Sequence, residues 1–292
     1  MEIINIVAIA LIQGLTEFLP ISSSGHLVLL PQLLDWTDQG VGIDVAAHLG
    51  SLVAVLLFFA NKSKDENNSE FELKPVKLTS DCGPFVRILT LRPKSQKASN
   101  FSAYVLGLAV ATLPVAALGF FFRDFVASDL RTIKVVAYST IFFGLILGFA
   151  DRCRGKKTLS DLSLGCLIII GIAQSLALVP GVSRSGITIT AALMLGFSRK
   201  AAVSISAILA VPVIGLSAGL ELSHFHQIAD RRMVFDVILV SGMSCLSAYI
   251  SLLFIFKLVE KVGMTPFVIY RIVLGGILLL STLPTHLQPS FS

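Results

Sequence analysis

The chain has 292 residues, of which 54% are hydrophobic and 14% charged, and its mean hydropathy is +0.84. Soluble domains carry about 25% charged residues, so the composition excludes an ordinary water-soluble fold and points to a single membrane domain over 1–292. The net charge of +5 does not argue for a nucleic-acid partner, because the Lys and Arg residues lie in loops between apolar runs and read as topology signals.

The first apolar region, 1–34, opens on Glu2 and runs into TEFLPISSSGH with no small-residue cleavage site, which reads as part of the fold rather than a signal peptide. Pro20, Gly25 and three serines interrupt its middle. Pro cannot continue a helix interior and Gly weakens one, so two short helices meeting at a break are expected, a re-entrant hairpin. Three spans follow, at 41–60, 103–122 and 133–150, each near the ~20 residues that cross a hydrocarbon core. Between the first two lies a polar loop, 61–102, whose NKSKDENNSE stretch is mixed in charge and reads as a solvated connector. A second interrupted region, 162–197, carries Pro180, Gly181 and two serines at its break. Spans at 201–221, 233–256 and 266–284 complete the chain. The expected fold is an all-α polytopic membrane protein with six transmembrane helices and two re-entrant helical hairpins.

The two interrupted regions resemble each other. A shift of 161 residues aligns Gln13 with Gln174, Leu15 with Leu176, Ser22 with Ser183, Ser24 with Ser185 and Gly25 with Gly186. The order of elements repeats as well, with repeat one over 1–150 and repeat two over 162–284. Three spans are an odd number, so the second half enters from the opposite face, giving an inverted-topology repeat whose site lies where the broken helices meet. The loops on one side collect most of the basic residues, against Arg123, Arg131, Lys134, Arg231 and Arg232 on the other. The positive-inside rule makes the richer side cytoplasmic. Both termini and the mouth of hairpin one then face outward.

Cys82, Cys153, Cys166 and Cys245 show no paired spacing, and neither a disulfide framework nor a structural zinc is expected. The polar residues at the breaks are better candidates. Glu17 lies deep in an apolar run, where a carboxylate is costly and usually functional. Gln13, four residues earlier, shares its helical face. Ser23 and His26 are three apart, a hydroxyl nucleophile and a proton carrier within one turn. In hairpin two, Arg184 stands among Ser183, Ser185 and Thr188 at a helix start, a ready anion site. The plainer alternative for each serine is a helix cap. His48, on an uninterrupted span, reads as a packing residue. Arg271 reads first as structural, paired with backbone carbonyls or with a carboxylate such as Glu221, ahead of a part in holding the site.

At these residues the sequence resembles the undecaprenyl-diphosphate phosphatase family of bacterial membranes, the bacitracin-resistance type. Gln13 and Glu17 in QGLTEFLPISSSGH meet its first motif, and PGVSRSGIT at 180–188 meets its second. IDVAAHLGSLVAV at 43–55 and TPFVIYRIVLG at 265–275 are similar to the family too. The resemblance implies a multi-pass protein of the bacterial inner membrane. Its substrate would be a polyprenyl diphosphate lipid, hydrolysed to the monophosphate carrier reused in peptidoglycan synthesis. It also implies a divalent cation, Mg²⁺ or Ca²⁺, and Glu17, with Gln13 nearby, would bind it or orient His26. Arg184 would hold the phosphate with help from Ser22, Ser24, Ser183, Ser185 and Thr188. Ser23 is the candidate nucleophile, with His26 managing its proton or that of the leaving group, and attack by His26 or by water is left open. Position 13 is the rarer Gln option, so any carboxylate role there falls to Glu17. The main rival is a transporter or flippase of a polyprenyl phosphate lipid, because inverted repeats with broken helices are common in transporters. The oligomeric state, a homo-oligomer included, is left open.

Overall fold

A computed structural model describes residues 3–23, 25–27, 36, 41–63, 99–225 and 231–282. The candidate Ser24, most of the 61–102 loop, Cys82 and the two ends of the chain lie outside the described residues. Among the described residues the regular structure is helical apart from one isolated bridge between Lys157 and Phe197.

Region one supplies α1, Ile3–Glu17, which stops at a turn over 18–21 before helical residues resume at 23 and 25–27. α2 (Val41–Ser63), α3 (Ser99–Phe121), the short α4 (Arg123–Ser128) and α5 (Ile133–Arg152) follow. Region two supplies α6 (Leu164–Gln174), a single 3₁₀ turn at Ser175–Leu178, the break, and α7 (Arg184–Met194). The chain then runs through α8 (Arg199–Phe225), α9 (Arg231–Lys261) and α10 (Thr265–Ser281). Both breaks thus fall where Pro and Gly punctuate the sequence.

Among the described residues four helices are long and apolar enough to cross a membrane, over Gly42–Lys62, Ile133–Arg152, Arg199–Gly219 and Val234–Lys261. The expected spans 103–122 and 266–284 fall on α3 and α10, which count with α1 and α6 among the shorter apolar helices. At 31 residues, α9 is about 46 Å long at 1.5 Å per residue. That exceeds a ~30 Å hydrocarbon core.

The packing follows membrane rules, with small residues and hydroxyls between helices. α9 lies along α2 and α1, while α3 lies along α6 and α8. A Cβ on Gly14 of α1 would stand 2.0 Å from Ser247 Oγ, and one on Gly171 of α6 would stand 2.4 Å from the Ala111 carbonyl, so neither approach admits a larger residue. One face of α9 carries a serine ladder. Ser241 and Ser244 donate to the carbonyls of Ala46 and Ala47 on α2, and Ser247 and Ser251 to those of Ala10 and Leu15 on α1. Such bonds average roughly 0.6 kcal/mol each in a bilayer, so the ladder sets register more than it adds stability. At one end Arg199 bridges Asp151 through Nε at 2.6 Å and its terminal amine at 2.7 Å, and the Met264 amide donates to the same carboxylate, tying α5, α8 and the start of α10 together. Outward positions such as Phe120, Phe142, Ile238, Leu246 and Ile277 are exposed apolar side chains, as a lipid-facing surface requires.

Candidate active site

The two breaks have nearly the same backbone. Ser22 and Ser183 adopt φ of 74° and 73°, the only two positive values among the described non-glycine residues. Such conformations cost of order 1–3 kcal/mol and persist only where surrounding contacts hold them. Each of these serines then caps the helix that follows. Ser22 Oγ accepts from the Gly25 amide at 3.3 Å, and Ser183 Oγ from the Gly186 amide at 3.0 Å. The cap reading of these two serines therefore holds. Gly181, at φ 93°, makes the second turn, with no room for a Cβ beside Ser139 Oγ.

The breaks bring their next residues to one carboxylate. Glu17 ends α1 and is 6% exposed. Its Oε1 accepts from the Arg184 guanidinium at 2.6 Å, and its Oε2 accepts from Ser23 Oγ and from Gln13 Nε2, both at 2.8 Å. Arg184 is also anchored by donation to the Ser206 carbonyl at 2.9 Å. Its guanidinium carries five N–H donors, so more than these two bonds use remain. Burying an ion pair is weak evidence of stabilisation, and the pair reads better as a preset arrangement of charge.

His48 joins this cluster from α2. Its Nδ1 donates to the Asp44 carbonyl at 2.7 Å, which turns Nε2 toward Glu17 Oε2 at 3.8 Å. An ion pair forms there whenever Nε2 is protonated. Sequence reasoning assigned His48 to packing because nothing local on an uninterrupted helix shows that it faces a carboxylate.

His26 is turned elsewhere. Its Nδ1 donates to the Ser22 carbonyl at 2.7 Å, so in the neutral ring Nε2 is the acceptor and takes the Tyr270 hydroxyl at 2.5 Å, the two rings stacking at 13°. In this arrangement the hydrogen-bond partner of Ser23 is Glu17 and not His26. Tyr270 was missed by sequence reasoning, since its partner lies 244 positions away.

The hydroxyls around Arg184 serve the loop that carries it. Ser185 Oγ donates to the Leu19 carbonyl at 2.8 Å, joining the two breaks directly. Ser183 and Ser185 share a bond at 3.2 Å. Thr188, fully buried, donates toward the Arg184 carbonyl at 2.8 Å and also meets Ser206 Oγ at 2.8 Å. Beneath both breaks lies Arg271, 0% exposed. Its Nε donates to the Thr140 carbonyl, and its terminal amines to those of Pro20, Val182 and Gly181, at 2.9–3.2 Å. Backbone carbonyls, expected among its partners, are found, and the side chain of Glu221 lies outside the described residues.

Fold and site together define a multi-pass helical membrane protein with a serine, a carboxylate and a guanidinium gathered at two helix breaks. The chain belongs to the bacitracin resistance protein BacA family, whose model matches residues 6–277. It is similar to the undecaprenyl-diphosphatase of Thioalkalivibrio sulfidiphilus, 40% identical over 282 residues covering 96% of this chain and 98% of the relative. The protein of the same name from Nitrosococcus oceani is 41% identical over 283 residues, 95% and 98% of the two chains. The one from Campylobacter curvus is 39% identical over 279 residues, 96% and 98%.

Proposed function

We infer that this protein hydrolyses undecaprenyl diphosphate to undecaprenyl phosphate and inorganic phosphate. The observation that carries the reading is the Ser23–Glu17–Arg184 cluster. It joins a nucleophile, an acceptor for its proton and a cation for phosphate oxygens in one buried place, within a chain that matches relatives of that name along nearly its whole length.

Phosphoryl transfer is governed by positioning and by charge on the peripheral oxygens. Arg184, through its remaining N–H donors, holds the terminal phosphate, with Ser22, Ser183, Ser185 and Thr188 shaping the loops around it. Ser23 Oγ attacks the terminal phosphorus as its proton passes to Glu17. The bond from that phosphorus to the bridging oxygen breaks, and undecaprenyl phosphate leaves. Water then cleaves the phosphoserine, releasing inorganic phosphate and restoring the Ser23 hydroxyl. His26, hydrogen-bonded to Tyr270, is suited to proton exchange on the leaving-group side.

The donor set also fits a hard divalent cation. Gln13 Oε1 is buried with no hydrogen-bond partner beside the Glu17 carboxylate, and oxygen ligands of this kind suit Mg²⁺ or Ca²⁺. No group of three or more His, Cys, Asp or Glu that could hold a metal occurs among the described residues. Glu17 and Gln13 would hold the ion, which would supply countercharge to the phosphate.

The finer architecture belongs to the same reading. We place six spans and two re-entrant hairpins in an inverted repeat within a bacterial inner membrane, with both termini and the mouth of hairpin one outside. The paired φ values and caps of Ser22 and Ser183 support the repeat, and the loop charges support the orientation.

The test is phosphate release by purified protein from C55 diphosphate in detergent, with magnesium or calcium and then with chelator. Release that chelator abolishes is expected. Lipid movement across vesicles without release in detergent would favour the transporter. Ser23→Ala is expected to lower kcat by at least about 10³-fold while substrate binding persists. Near-normal turnover would hand the attack to water or His26.

A further inference from the structure

The 161-residue shift that relates the two breaks also relates the carbonyls that Arg271 binds. Pro20 corresponds to Gly181, and one guanidinium donates to both, through one terminal amine at 3.2 Å and the other at 2.9 Å. Counted from each clamped carbonyl the order is the same in both halves. Two residues on stands the serine with positive φ, Ser22 or Ser183. Three residues on stands the side chain that reaches Glu17, Ser23 or Arg184. A third bond, to the Val182 carbonyl at 3.0 Å, holds the peptide just before the strained Ser183. The fourth, to Thr140 at 3.0 Å, fixes the guanidinium to α5. A planar fork with its donors in rigid directions can hold four carbonyls in one arrangement, as a lysine ammonium cannot.

We propose that Arg271 is a positioning residue for the phosphatase reaction. It clamps the two repeat-related breaks against each other and so sets the distance between the Ser23 hydroxyl and the Arg184 guanidinium. It touches no reacting atom and acts through the Pro20 and Gly181–Val182 backbone. This inference rests on the phosphatase reading above.

The experiment compares kcat and KM for C55 diphosphate in detergent for the unmodified protein, Arg271→Lys and Gly144→Ala. Each is checked for monodispersity and thermal unfolding. Arg271→Lys keeps the charge and loses the fork. Gly144→Ala changes no polar group, but its Cβ would lie 3.0 Å from Arg271 Cβ and 3.3 Å from Nε, pressing on the clamp from α5. Misplacement of about 1 Å can cost 10²-fold in rate. The expected result is folded Arg271→Lys with kcat lower by about 10²-fold and KM within about threefold, and Gly144→Ala with kcat lower by about tenfold. If Arg271→Lys does not accumulate as folded protein, Gly144→Ala decides. Unchanged kcat in either folded variant overturns the proposal, as does a rise in KM at constant kcat, which would make Arg271 a phosphate ligand. Failure of the unmodified protein to release phosphate would bring down the phosphatase reading, and the positioning role with it.

Discussion

At Ser22 and Ser183 the chain passes through the same left-handed conformation and caps the following helix in the same way, yet the next side chain is a hydroxyl in one half and a guanidinium in the other. The residues before the breaks differ as well. Glu17 ends α1, while the matching position in the second half is Leu178. Gln13 donates to Glu17, whereas its counterpart Gln174 is fully buried with neither amide atom hydrogen-bonded. A shared backbone device therefore carries two different chemistries. One half supplies the carboxylate and the hydroxyl, and the other the cation that faces them.

The largest effect should come from Arg184, whose guanidinium in the second half meets the Glu17 carboxylate of the first. Arg184→Ala removes the phosphate ligand and leaves Glu17 buried without its ion partner. Its kcat/KM for phosphate release should fall by roughly 10³-fold or more. A loss under tenfold would mean that the second break carries no chemistry and the comparison fails. Glu17→Gln comes next, since it keeps the size of the side chain and removes both charge and proton acceptor. It should lower kcat by about 10²-fold, and a magnesium titration should show a higher concentration for half-maximal rate. An unchanged titration with reduced kcat would separate the base from the metal ligand.

The smallest effect sharpens the contrast between the two glutamines. Gln174→Leu replaces an unsatisfied buried amide, which costs about 1–3 kcal/mol to bury, with an apolar side chain. Thermal unfolding in detergent should rise by a few degrees with phosphate release within about twofold. Gln13→Leu should lower release by about tenfold, the worth of one hydrogen bond to a charged group. Equal behaviour of the two variants would place both glutamines in packing.

How much of this was legible depended on whether the signal was local. Pro20, Pro180 and the neighbouring glycines mark the breaks because backbone restrictions act within a residue or two. Glu17 stood out because an ionisable group in a long apolar run is costly wherever the helix packs. The motifs QGLTEFLPISSSGH and PGVSRSGIT announced Ser23 and Arg184 as a pair, but not that Glu17 lies between them. For Ser23 the sequence put the proton partner three residues away at His26, and the structure instead hydrogen-bonds Ser23 to Glu17. Ser22, at positive φ between Glu17 and Ser23, turns the chain so that the Ser23 hydroxyl comes back to the carboxylate that ends α1.

By itself, the sequence determined that this protein lives in a membrane, where its helices break and which family it resembles. Those follow from composition, local sterics and identity along the chain. Only the tertiary structure decided that His48 faces Glu17, that Tyr270 holds His26, and that Arg271 spends its donors on backbone carbonyls of both breaks. Each of these contacts joins residues far apart in the chain on different elements. Spacing along one chain cannot specify which faces meet when helices pack by small residues and hydroxyls rather than by a strong apolar stripe.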